Sequence, residues 1–567
     1  MKKKIIPVLL ALVLIIVIGG IVAFGYLKEK YSYGTETADL DEYFKVTKAG
    51  ELAIVLQDAI VEEKAHIKDG VCYFDIDTVH KYLNEVFYVD KKEQLLLYTN
   101  AVETISSVLG ESTYTDATGS HDMKHPISYV EDDTVYLLAD YVKLFTNYFY
   151  QVFERQVIVR TEWDTREVAE ITKDTNIRVR GGIKSPILRE VLAGETVEIL
   201  EQMETWCKIK SEDAIIGYVE NKFLENQRME EEKAVTDYVA PEYTSVAMDG
   251  KVCLGWHSIG GVGGNDTLHS MVAGAKGMNV IAPTWFSLND NEGGFRSFAS
   301  ANYVESARAY GLKVWGVLDD FNYANETGAD IDVYEVLSNT TSRQRLAQNI
   351  SDMAVSLGLD GINLDFERVG ADSGVHYIQF LRELSVQCRS KGLTLSIDNY
   401  VPFHFNEYYR LDIQGEVADY VIIMGYDEHW HGSGDPGSVA SIDYVANGIT
   451  KTVSQVPAKK VVNALPFYTI VWCIEGADVT DQYLTLNNTA DFIKRIGKEP
   501  VWDDATGQNF LEWTSGKKTY RVWIEDAKSI AAKLNVMNAN KVGGVAVWRL
   551  GYGTPEVWNI LKSYVNS

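Results

Sequence analysis

Eight short apolar runs recur in order between residues 246 and 567, and amphipathic helical segments separate most of them. Two of these segments read SRQRLAQNISDMAVSLG and VHYIQFLRELSVQCRSKG. Apolar runs that alternate with helices are typical of buried parallel strands in βα units. Eight such units predict an α/β fold of the (β/α)8 barrel type. The runs are KVCLGW, NVIAPTW, LKVWGVL, GINLDF, LTLSIDNY, DYVIIMGY, KVVNALP and VGGVAVW.

A long interval separates the seventh run from the eighth, at residues 466–540. It contains the helix-like TDQYLTLNNTADFI and the strand-like TYRVWI. A single crossover helix does not need this length, because βα and αβ loops are usually short. The interval therefore predicts a small α+β insertion between barrel strands 7 and 8.

Residues 33–163 mix short strands and helices and contain a weak internal repeat. VCYFDIDTVHKYLNEVFYVDKKEQLLLYT and TVYLLADYVKLFTNYFYQVFERQVIVRT both predict a strand, a helix and then two strands. Tyr73 and Asp77 in the first copy match Tyr136 and Asp140 in the second. This α+β segment resembles the small domain at the N-terminus of copper amine oxidases, although no copper ligands are visible in it. We expect a packing or wall-contact module.

Residues 171–224 have closely spaced short strands with turn signals, a pattern typical of a small β-barrel. The segment resembles bacterial SH3 domains. Such domains often bind cell-wall peptides, and binding or a spacer role both stay open. Residues 225–245 are polar and contain Pro241, which predicts a linker into the barrel. The residues that carry the SH3 resemblance are Asn176, Arg178, Arg180, Gly194, Trp206, Gly217, Tyr218 and Val219.

The N-terminus carries three lysines followed by an uncharged run at residues 5–27. A helix of that length spans roughly 34 Å, enough to cross a bilayer. The positive flank predicts a cytoplasmic tail at residues 1–4 and an extracellular catalytic domain. A cleaved signal peptide, and hence a secreted protein, is the alternative. Its apolar core is usually only ~7–15 residues long, which favours the anchor.

Charge and cysteine content exclude several classes of function. The chain has 53 basic and 80 acidic residues, a net charge of -27, which argues against a nucleic-acid partner. Its five cysteines are scattered without metal-ligand or redox spacing. His429 and His431 lie two residues apart in EHWHG, but no third ligand is evident, and a polar loop is the simpler interpretation. We therefore expect neither a metal nor an organic cofactor.

The fourth apolar run carries alternating polar residues, Asn363, Asp365 and Glu367. In an extended strand all three face one side, with neighbours roughly 6.6 Å apart. Burial of such polar groups costs free energy unless they have hydrogen-bond partners. An ionised Asp365 makes ionisation of Glu367 harder, which suits Glu367 to the role of a general acid.

Polar and aromatic residues also end the other runs. Catalytic residues of such barrels sit at the C-terminal ends of the strands, so these side chains are predicted to share one rim. A buried Trp in the core or an Asp that caps a helix is the structural alternative for each one alone. The candidates are Trp285 in the second run, Asn399 in the fifth, Met424, Tyr426 and Asp427 in the sixth, Tyr468 in the seventh and Trp548 in the eighth.

DGINLDFE resembles the DxxDxDxE signature of glycoside hydrolase family 18, the chitinases and related enzymes. Asp360, Gly361, Asp365 and Glu367 match it. MGYD resembles the family's sixth-strand motif, and Trp548 falls where the family has its floor tryptophan. LPFYTIVW resembles the seventh-strand segment, with Thr where Gly is common. The pattern is most similar to bacterial spore-cortex-lytic members that cleave at N-acetylglucosamine in peptidoglycan, and these often carry Asn at the position of Asn363.

The resemblance implies a retaining, substrate-assisted mechanism. Glu367 would protonate the glycosidic oxygen while the substrate's own acetamido carbonyl attacks the anomeric carbon. Asp365 would orient the acetamide N–H, Tyr426 would bind the acetamide oxygen, and Trp548 would stack beneath the sugar. Asn363 is expected to donate a hydrogen bond to Asp365 and so to retune it. The implied site also includes Met424, Asp427, Trp285, Asn399 and Tyr468 as substrate-binding residues.

The preferred interpretation is a membrane-anchored hydrolase of β-1,4 bonds at N-acetylglucosamine in peptidoglycan. A chitin or chitooligosaccharide hydrolase is the first alternative. A non-catalytic wall-glycan-binding protein is the second, and a wall-holding scaffold with an inactive barrel is the third. The presence of Glu367 favours an enzyme, because lectin-like relatives commonly lose the acid. Endo or exo action and the oligomeric state stay open.

Overall fold

The computed structural model describes residues 5–231, 233–234, 238–321 and 331–567. The predicted cytoplasmic tail, residues 1–4, lies outside the described residues. The chain divides into two compact units. The first consists of Met1–Phe87, Ser107–Tyr114 and Ser120–Ala240, and the second of Tyr88–Ser106, Thr115–Gly119 and Pro241–Ser567.

Eight parallel strands of the second unit close into the predicted barrel. Their order is β2-β1-β8-β7-β6-β5-β4-β3, and β2 pairs with β3 to close the ring. The (β/α)8 prediction is therefore confirmed. The strands are β1 (Val252–His257), β2 (Val280–Pro283), β3 (Lys313–Asp319), β4 (Gly361–Asp365), β5 (Thr394–Tyr400), β6 (Tyr420–Met424), β7 (Val461–Pro466) and β8 (Gly544–Trp548).

Helices return the chain from the end of each strand to the start of the next. The apolar faces of these helices pack against the outward-facing Val, Ile and Leu residues of the strands in one continuous core. A short hairpin, Phe286–Leu288 and Phe295–Ser297, follows β2 and pairs with the end of β3. The helices are Leu268–Val272, Ala301–Ala309, Val333–Ser338, Thr340–Leu357, Gly374–Ser390, Leu411–Val417, Ile442–Val453, Ala527–Ala539 and Pro555–Val565.

The predicted insertion between β7 and β8 is a five-stranded antiparallel sheet with one helix, Leu486–Ile496. Leu484, Phe492, Leu511 and Val522 form its own small core. The first strand begins two residues after β7 ends, so the insertion continues directly from the C-terminal rim of the barrel. Its strands are Tyr468–Glu475, Asp478–Thr485, Val501–Asp503, Gln508–Ser515 and Lys518–Ile524.

Residues 88–106 cluster with the barrel, although the sequence places them within the predicted 33–163 domain. Arg343, which is fully buried, pairs with Glu383 at 3.1 Å and also donates to the Tyr88 hydroxyl. Asp90 accepts hydrogen bonds from the backbone N–H and the hydroxyl of Thr340. Residues 88–106 therefore bury polar residues of two barrel helices. The residues in contact are hundreds of positions apart in the sequence.

The first unit contains two seven-stranded sheets. The pattern of a strand, a helix and two strands occurs twice, at residues 71–99 and 134–160, which confirms the predicted repeat order. The last two strands of the first copy, Phe87–Asp90 and Leu95–Thr99, belong to a separate five-stranded sheet. The second sheet forms the SH3 region, and its last strand, Leu224–Glu231, pairs with Thr165–Ile171 and runs into the predicted linker. The first sheet is Phe149–Val152, Gln156–Arg160, Glu51–Leu56, Ala59–Lys68, Val71–Asp75, Thr134–Leu138 and Ser128–Glu131, and the second is Ile187–Val191, Thr175–Arg178, Ile216–Glu220, Trp206–Lys210, Thr196–Gln202, Thr165–Ile171 and Leu224–Glu231.

The N-terminal apolar run forms one helix, Ile5–Tyr31, slightly longer than the predicted 5–27. By length and composition it can cross a membrane, and none of its apolar window is buried against the rest of the chain. Such a helix fits either a membrane anchor or a signal sequence.

Candidate active site

Asp365 ends β4, and Glu367 follows it by two residues, so both lie at the C-terminal rim of the barrel. The Oδ1 atom of Asp365 is buried and has no hydrogen-bond partner among the described residues. A buried acceptor of this kind is unfavourable unless a ligand supplies the missing donor. The rim therefore presents one carboxylate oxygen that is suited to an incoming N–H or O–H group.

Both carboxyl groups have raised pKa values. Burial is the main cause of the raised pKa of Asp365, and the charges of Glu367 and Asp398 raise it further. Burial also raises the pKa of Glu367, with a smaller contribution from Asp320, while a hydrogen bond with Tyr400 lowers it. An acid that keeps its proton to higher pH than an ordinary Glu is suited to protonate a leaving group.

Two further carboxylates, Asp319 and Asp320, end β3 beside this pair. Burial raises the pKa of each of them to about 6. Asp320 accepts hydrogen bonds from the backbone N–H groups of Glu367 and Arg368, at 2.9 and 2.8 Å. Asp320 thus fixes the backbone that carries Glu367, and the sequence analysis did not identify either of these β3 residues.

Asn363 is completely buried in the barrel, and its hydrogen bonds differ from the predicted one. Its amide donates to Asp398 Oδ1 at 2.8 Å and to the Ser396 hydroxyl at 3.0 Å, and its carbonyl accepts from Trp256 Nε1 at 2.8 Å. The predicted bond to Asp365 is therefore wrong. Same-face neighbours on one strand are roughly 6.6 Å apart, whereas neighbouring strands lie within 5 Å, so Asn363 reaches across to β5 instead.

The structure separates Asn399 from the site. Its amide exchanges hydrogen bonds with Gln414 on the outer helix Leu411–Val417, and the side chain is buried there. The inward-facing β5 residues are Ser396, Asp398 and Tyr400, since Asn363 pairs in register with Ser396. Asp398 and Tyr400 therefore face the site in place of Asn399, and Asp398 is the one that was not predicted from the sequence. Alternation in LTLSIDNY does not separate the two registers, because Asp398 and Asn399 are adjacent and both polar.

Tyr426 and Tyr468 form the wall of the site that follows β6 and β7. Their rings meet edge to face with centroids 6.3 Å apart, and the Tyr468 hydroxyl donates to Asp427. Burial raises the pKa of Tyr426 well above its usual value, and Asp427 and Glu367 raise it further. Tyr426 therefore keeps its O–H as a donor beside the carboxylates. Met424 is almost buried at the end of β6.

Trp548 ends β8 at the same rim and is partly exposed. Its ring contacts Trp256 edge to face, with centroids 6.0 Å apart, and Trp256 in turn donates to Asn363. Trp285 is instead only 1% exposed, packs against Tyr303 and donates to Asn265. Of the two predicted tryptophans, only Trp548 has a face open at the barrel mouth.

No group of three or more His, Cys, Asp or Glu side chains is arranged to hold a metal ion within the part of the chain that the structure describes. His429 and His431 have separate partners, since His429 contacts Asp435 and His431 contacts Asp481. The acidic residues at the rim are instead spread over the ends of four neighbouring strands, β3 to β6. These carboxyl groups can donate or accept protons.

Comparison with known proteins identifies two of the domains. The sequence model of Glycosyl hydrolases family 18 matches residues 325–553, and that of the Bacterial SH3 domain matches residues 173–225. The matched part of the barrel contains the strand ends that carry Asp365, Glu367, Tyr426 and Trp548.

Two curated relatives from Bacillus are similar to part of this chain. The "Uncharacterized glycosylase YvbX" of Bacillus subtilis (strain 168) is 27% identical over 50% of this chain and 84% of its own length. The "Cortical fragment-lytic enzyme" of Bacillus anthracis is 28% identical over 40% of this chain, and the match spans 54% of its own length.

The fold of the barrel has a solved counterpart. The crystal structure of a chitinase from Chromobacterium violaceum ATCC 12472 superposes with a TM-score of 0.50 and 23% identity, over 56% of this chain and 99% of that chain. This likeness concerns the fold alone. The family model and the relatives agree with it: residues 325–553 of the barrel are similar to Glycosyl hydrolases family 18, and residues 173–225 are similar to the Bacterial SH3 domain.

Proposed function

We propose that the barrel hydrolyses β-1,4-glycosidic bonds at N-acetylglucosamine in cell-wall peptidoglycan, with retention and with assistance from the substrate's acetamido group. The observation that carries this proposal is the pair at the end of β4. Glu367, whose pKa burial raises, stands next to Asp365, whose buried Oδ1 has no hydrogen-bond donor among the described residues. An N-acetylated sugar supplies both a leaving oxygen and an amide N–H to such a pair.

Glu367 acts as the general acid. It transfers its proton to the glycosidic oxygen as the bond to the anomeric carbon breaks, and it later removes a proton from the attacking water. Burial raises the pKa of Glu367, which favours the protonated form that the first step needs. The two backbone hydrogen bonds to Asp320 hold the loop, so the carboxyl group remains aimed at one position.

Asp365 accepts the acetamide N–H and turns the acetamide carbonyl towards the anomeric carbon. The carbonyl oxygen attacks, and the resulting oxazolinium ion carries a positive charge beside Asp365 and Asp398. These buried carboxyls shift towards ionisation as that charge develops, because a nearby cation lowers their pKa values. This electrostatic stabilisation replaces the enzyme nucleophile of other retaining glycosidases.

Tyr426 donates its hydroxyl hydrogen to the acetamide oxygen, and Trp548 supports the apolar face of the distorted sugar. Asp427 and Tyr468 bind to each other at the wall beside Tyr426 and form the polar side of the pocket. Met424 lines the floor near β6. Asn363 acts indirectly in this scheme, since it binds Asp398 rather than the substrate.

Three observations support a wall glycan as the substrate. One relative is named as an enzyme that lyses cortical fragments. A bacterial SH3 domain precedes the barrel. An apolar helix at the N-terminus suits a single membrane span with the catalytic domain outside the cell. Together they favour a protein held at the membrane and directed at the wall.

Digestion of purified peptidoglycan and of chitooligosaccharides, followed by mass spectrometry of the new reducing ends, tests the proposal. Wild type should release fragments that end in N-acetylglucosamine, and Glu367→Gln should release almost none. Products from chitooligosaccharides alone would replace peptidoglycan by chitin as the substrate. A wild type that binds these glycans but cleaves none would support the non-catalytic, glycan-binding alternative.

A further inference from the structure

Two phenylalanine side chains are exposed on the loop that follows β5. Phe405 is 75% exposed and Phe403 37% exposed. Their rings are stacked, with centroids 5.5 Å apart and planes inclined by 7°. Exposed aromatic side chains in contact with each other are uncommon on a soluble surface and often mark a binding site. We refer to Phe403 and Phe405 as the aromatic platform.

The loop beneath the aromatic platform is held by its own hydrogen bonds. Asn406, itself buried, accepts from the backbone N–H of Phe403 at 2.7 Å and donates to the Val401 carbonyl at 3.1 Å. Lys451 lies 4.6 Å from the centre of the Phe403 ring and donates to the Pro402 carbonyl. The platform is thus presented in one fixed position, which lowers the entropy lost when a ligand binds.

Both ends of this loop are attached to the candidate active site. At its start, Tyr400 is hydrogen-bonded to Glu367. At its end, the hydroxyls of Tyr409 and Tyr408 donate to the carbonyls of Phe366 and Val369, on either side of Glu367. The exposed rings therefore belong to the same rim as the general acid.

The wall on the other side of the platform also leads to the site. The Phe403 ring contacts Tyr444 with centroids 6.3 Å apart, and the Tyr444 hydroxyl donates to the Tyr426 carbonyl at 3.4 Å. Contacts therefore lead from the Tyr426 backbone through Tyr444 to the Phe403 ring of the platform. A chain of sugars that leaves the site in this direction would reach the platform.

We propose that the aromatic platform is a distal binding site for a sugar ring of the same β-1,4-linked amino-sugar chain, several residues from the bond that is cleaved. A pyranose ring has an apolar face of axial C–H groups that packs on flat aromatic rings, while its hydroxyls remain in water. The inference rests on the proposed function and adds to it a preference for long glycan chains over short ones.

Binding to the Glu367→Gln variant separates affinity from turnover. Isothermal titration calorimetry would compare Glu367→Gln with the triple variant Glu367→Gln/Phe403→Ala/Phe405→Ala, each as the full chain. The ligands are the disaccharide and the hexasaccharide of β-1,4-linked N-acetylglucosamine. We expect the hexasaccharide to lose at least about tenfold in affinity and the disaccharide to change by less than about twofold.

Tyr310→Ala in the Glu367→Gln background is the matched control. Tyr310 is 47% exposed and follows the helix Ala301–Ala309, which returns the chain to the N-terminal end of the barrel. Its removal should leave the affinity for both ligands unchanged. Melting temperatures within error of the parent would establish that all variants are folded.

Equal losses for both ligands, or no loss for either, would overturn the inference while the proposed function stands. A change of the platform variant from dimer to monomer in sedimentation would also overturn it, since the rings would then cover a second copy. If Glu367→Gln binds no glycan of any length, the proposed function fails, and the inference fails with it.

Discussion

Replacement of Asn363 by Asp tests the hydrogen bonding inside the barrel. Asn363 is fully buried, and its amide nitrogen lies 2.8 Å from Asp398 Oδ1. Asn363→Asp puts a second carboxyl oxygen at about that distance. Burial already raises the pKa of Asp398 well above its usual value. Two ionised carboxylates 2.8 Å apart would repel by about 6 kcal/mol at an effective dielectric constant of about 20, or about four pKa units, so the pair holds at least one proton. The new carboxyl should therefore keep its proton and donate it to Asp398.

The raised pKa of the new carboxyl group determines how the stability of Asn363→Asp depends on pH. The new group has a pKa of about 3.9 in the unfolded chain and about 8 in the folded one. Below about pH 4 both states are protonated, so the substitution changes little. Between about pH 4 and 8 only the folded state holds the proton, and the free energy of unfolding falls by about 1.4 kcal/mol per pH unit relative to wild type. The loss reaches about 4 kcal/mol at pH 7.

Urea unfolding of the barrel at about pH 4.5 and about pH 7 measures this difference. The activity of Asn363→Asp on a soluble chitooligosaccharide should approach that of wild type at the acidic end and decline at higher pH. The same loss of stability at both pH values would refute the shared proton. Loss of activity at every pH would refute the indirect role of Asn363.

Three further substitutions test separate parts of the site and its support. Asp320→Ala leaves the N–H groups behind Glu367 unpaired, and kcat/KM should fall by about ten- to a hundredfold, mostly in kcat. Tyr400→Phe removes a hydrogen bond that lowers the pKa of Glu367, so the alkaline limb of the pH–rate profile should move to higher pH; an unmoved limb would contradict this contact. Arg343→Met leaves Glu383 buried without its cation and should cost about 3–5 kcal/mol of barrel stability in urea unfolding, whereas Arg343→Met/Glu383→Leu should regain most of it.

The fold of the barrel could be predicted because its signal is local. Each apolar run and each amphipathic helix is visible in a short window, and their alternation specifies parallel pairing. The docking of residues 88–106 could not be predicted, because it depends on Arg343, Glu383 and Thr340, far away in the chain. Polar residues on barrel helices are normally solvent-exposed, so nothing local marks them as covered.

The site was predictable where alternation and motif coincide, as at Asp365 and Glu367. It was not predictable in LTLSIDNY, where Asp398 and Asn399 are adjacent and both polar. Which of them faces inward depends on register with β4, and a shift of one residue reverses every side chain. Trp285 was misplaced for a related reason, since a large aromatic residue at a strand end suits both core and rim.

The hydrogen-bond partner of Asn363 could not be predicted from the sequence for a different reason. The spacing along one strand suggested Asp365 as its partner, but the adjacent strand provides a closer acceptor in Asp398. In a barrel interior the shortest polar contacts run across strands, and these are decided by strand order and stagger. Residue types alone do not contain that information.

The role of Glu367 as the general acid is the central claim, and one comparison of substrates tests it most directly. A 2,4-dinitrophenyl glycoside of N,N′-diacetylchitobiose has a leaving group that departs without protonation, unlike the sugar of a chitooligosaccharide. Glu367→Gln should lose about 10²–10⁴-fold in kcat/KM on the chitooligosaccharide and less than about tenfold on the dinitrophenyl glycoside. Asp365→Asn should be impaired on both substrates. Equal losses for Glu367→Gln on the two substrates would contradict the assignment of the acid.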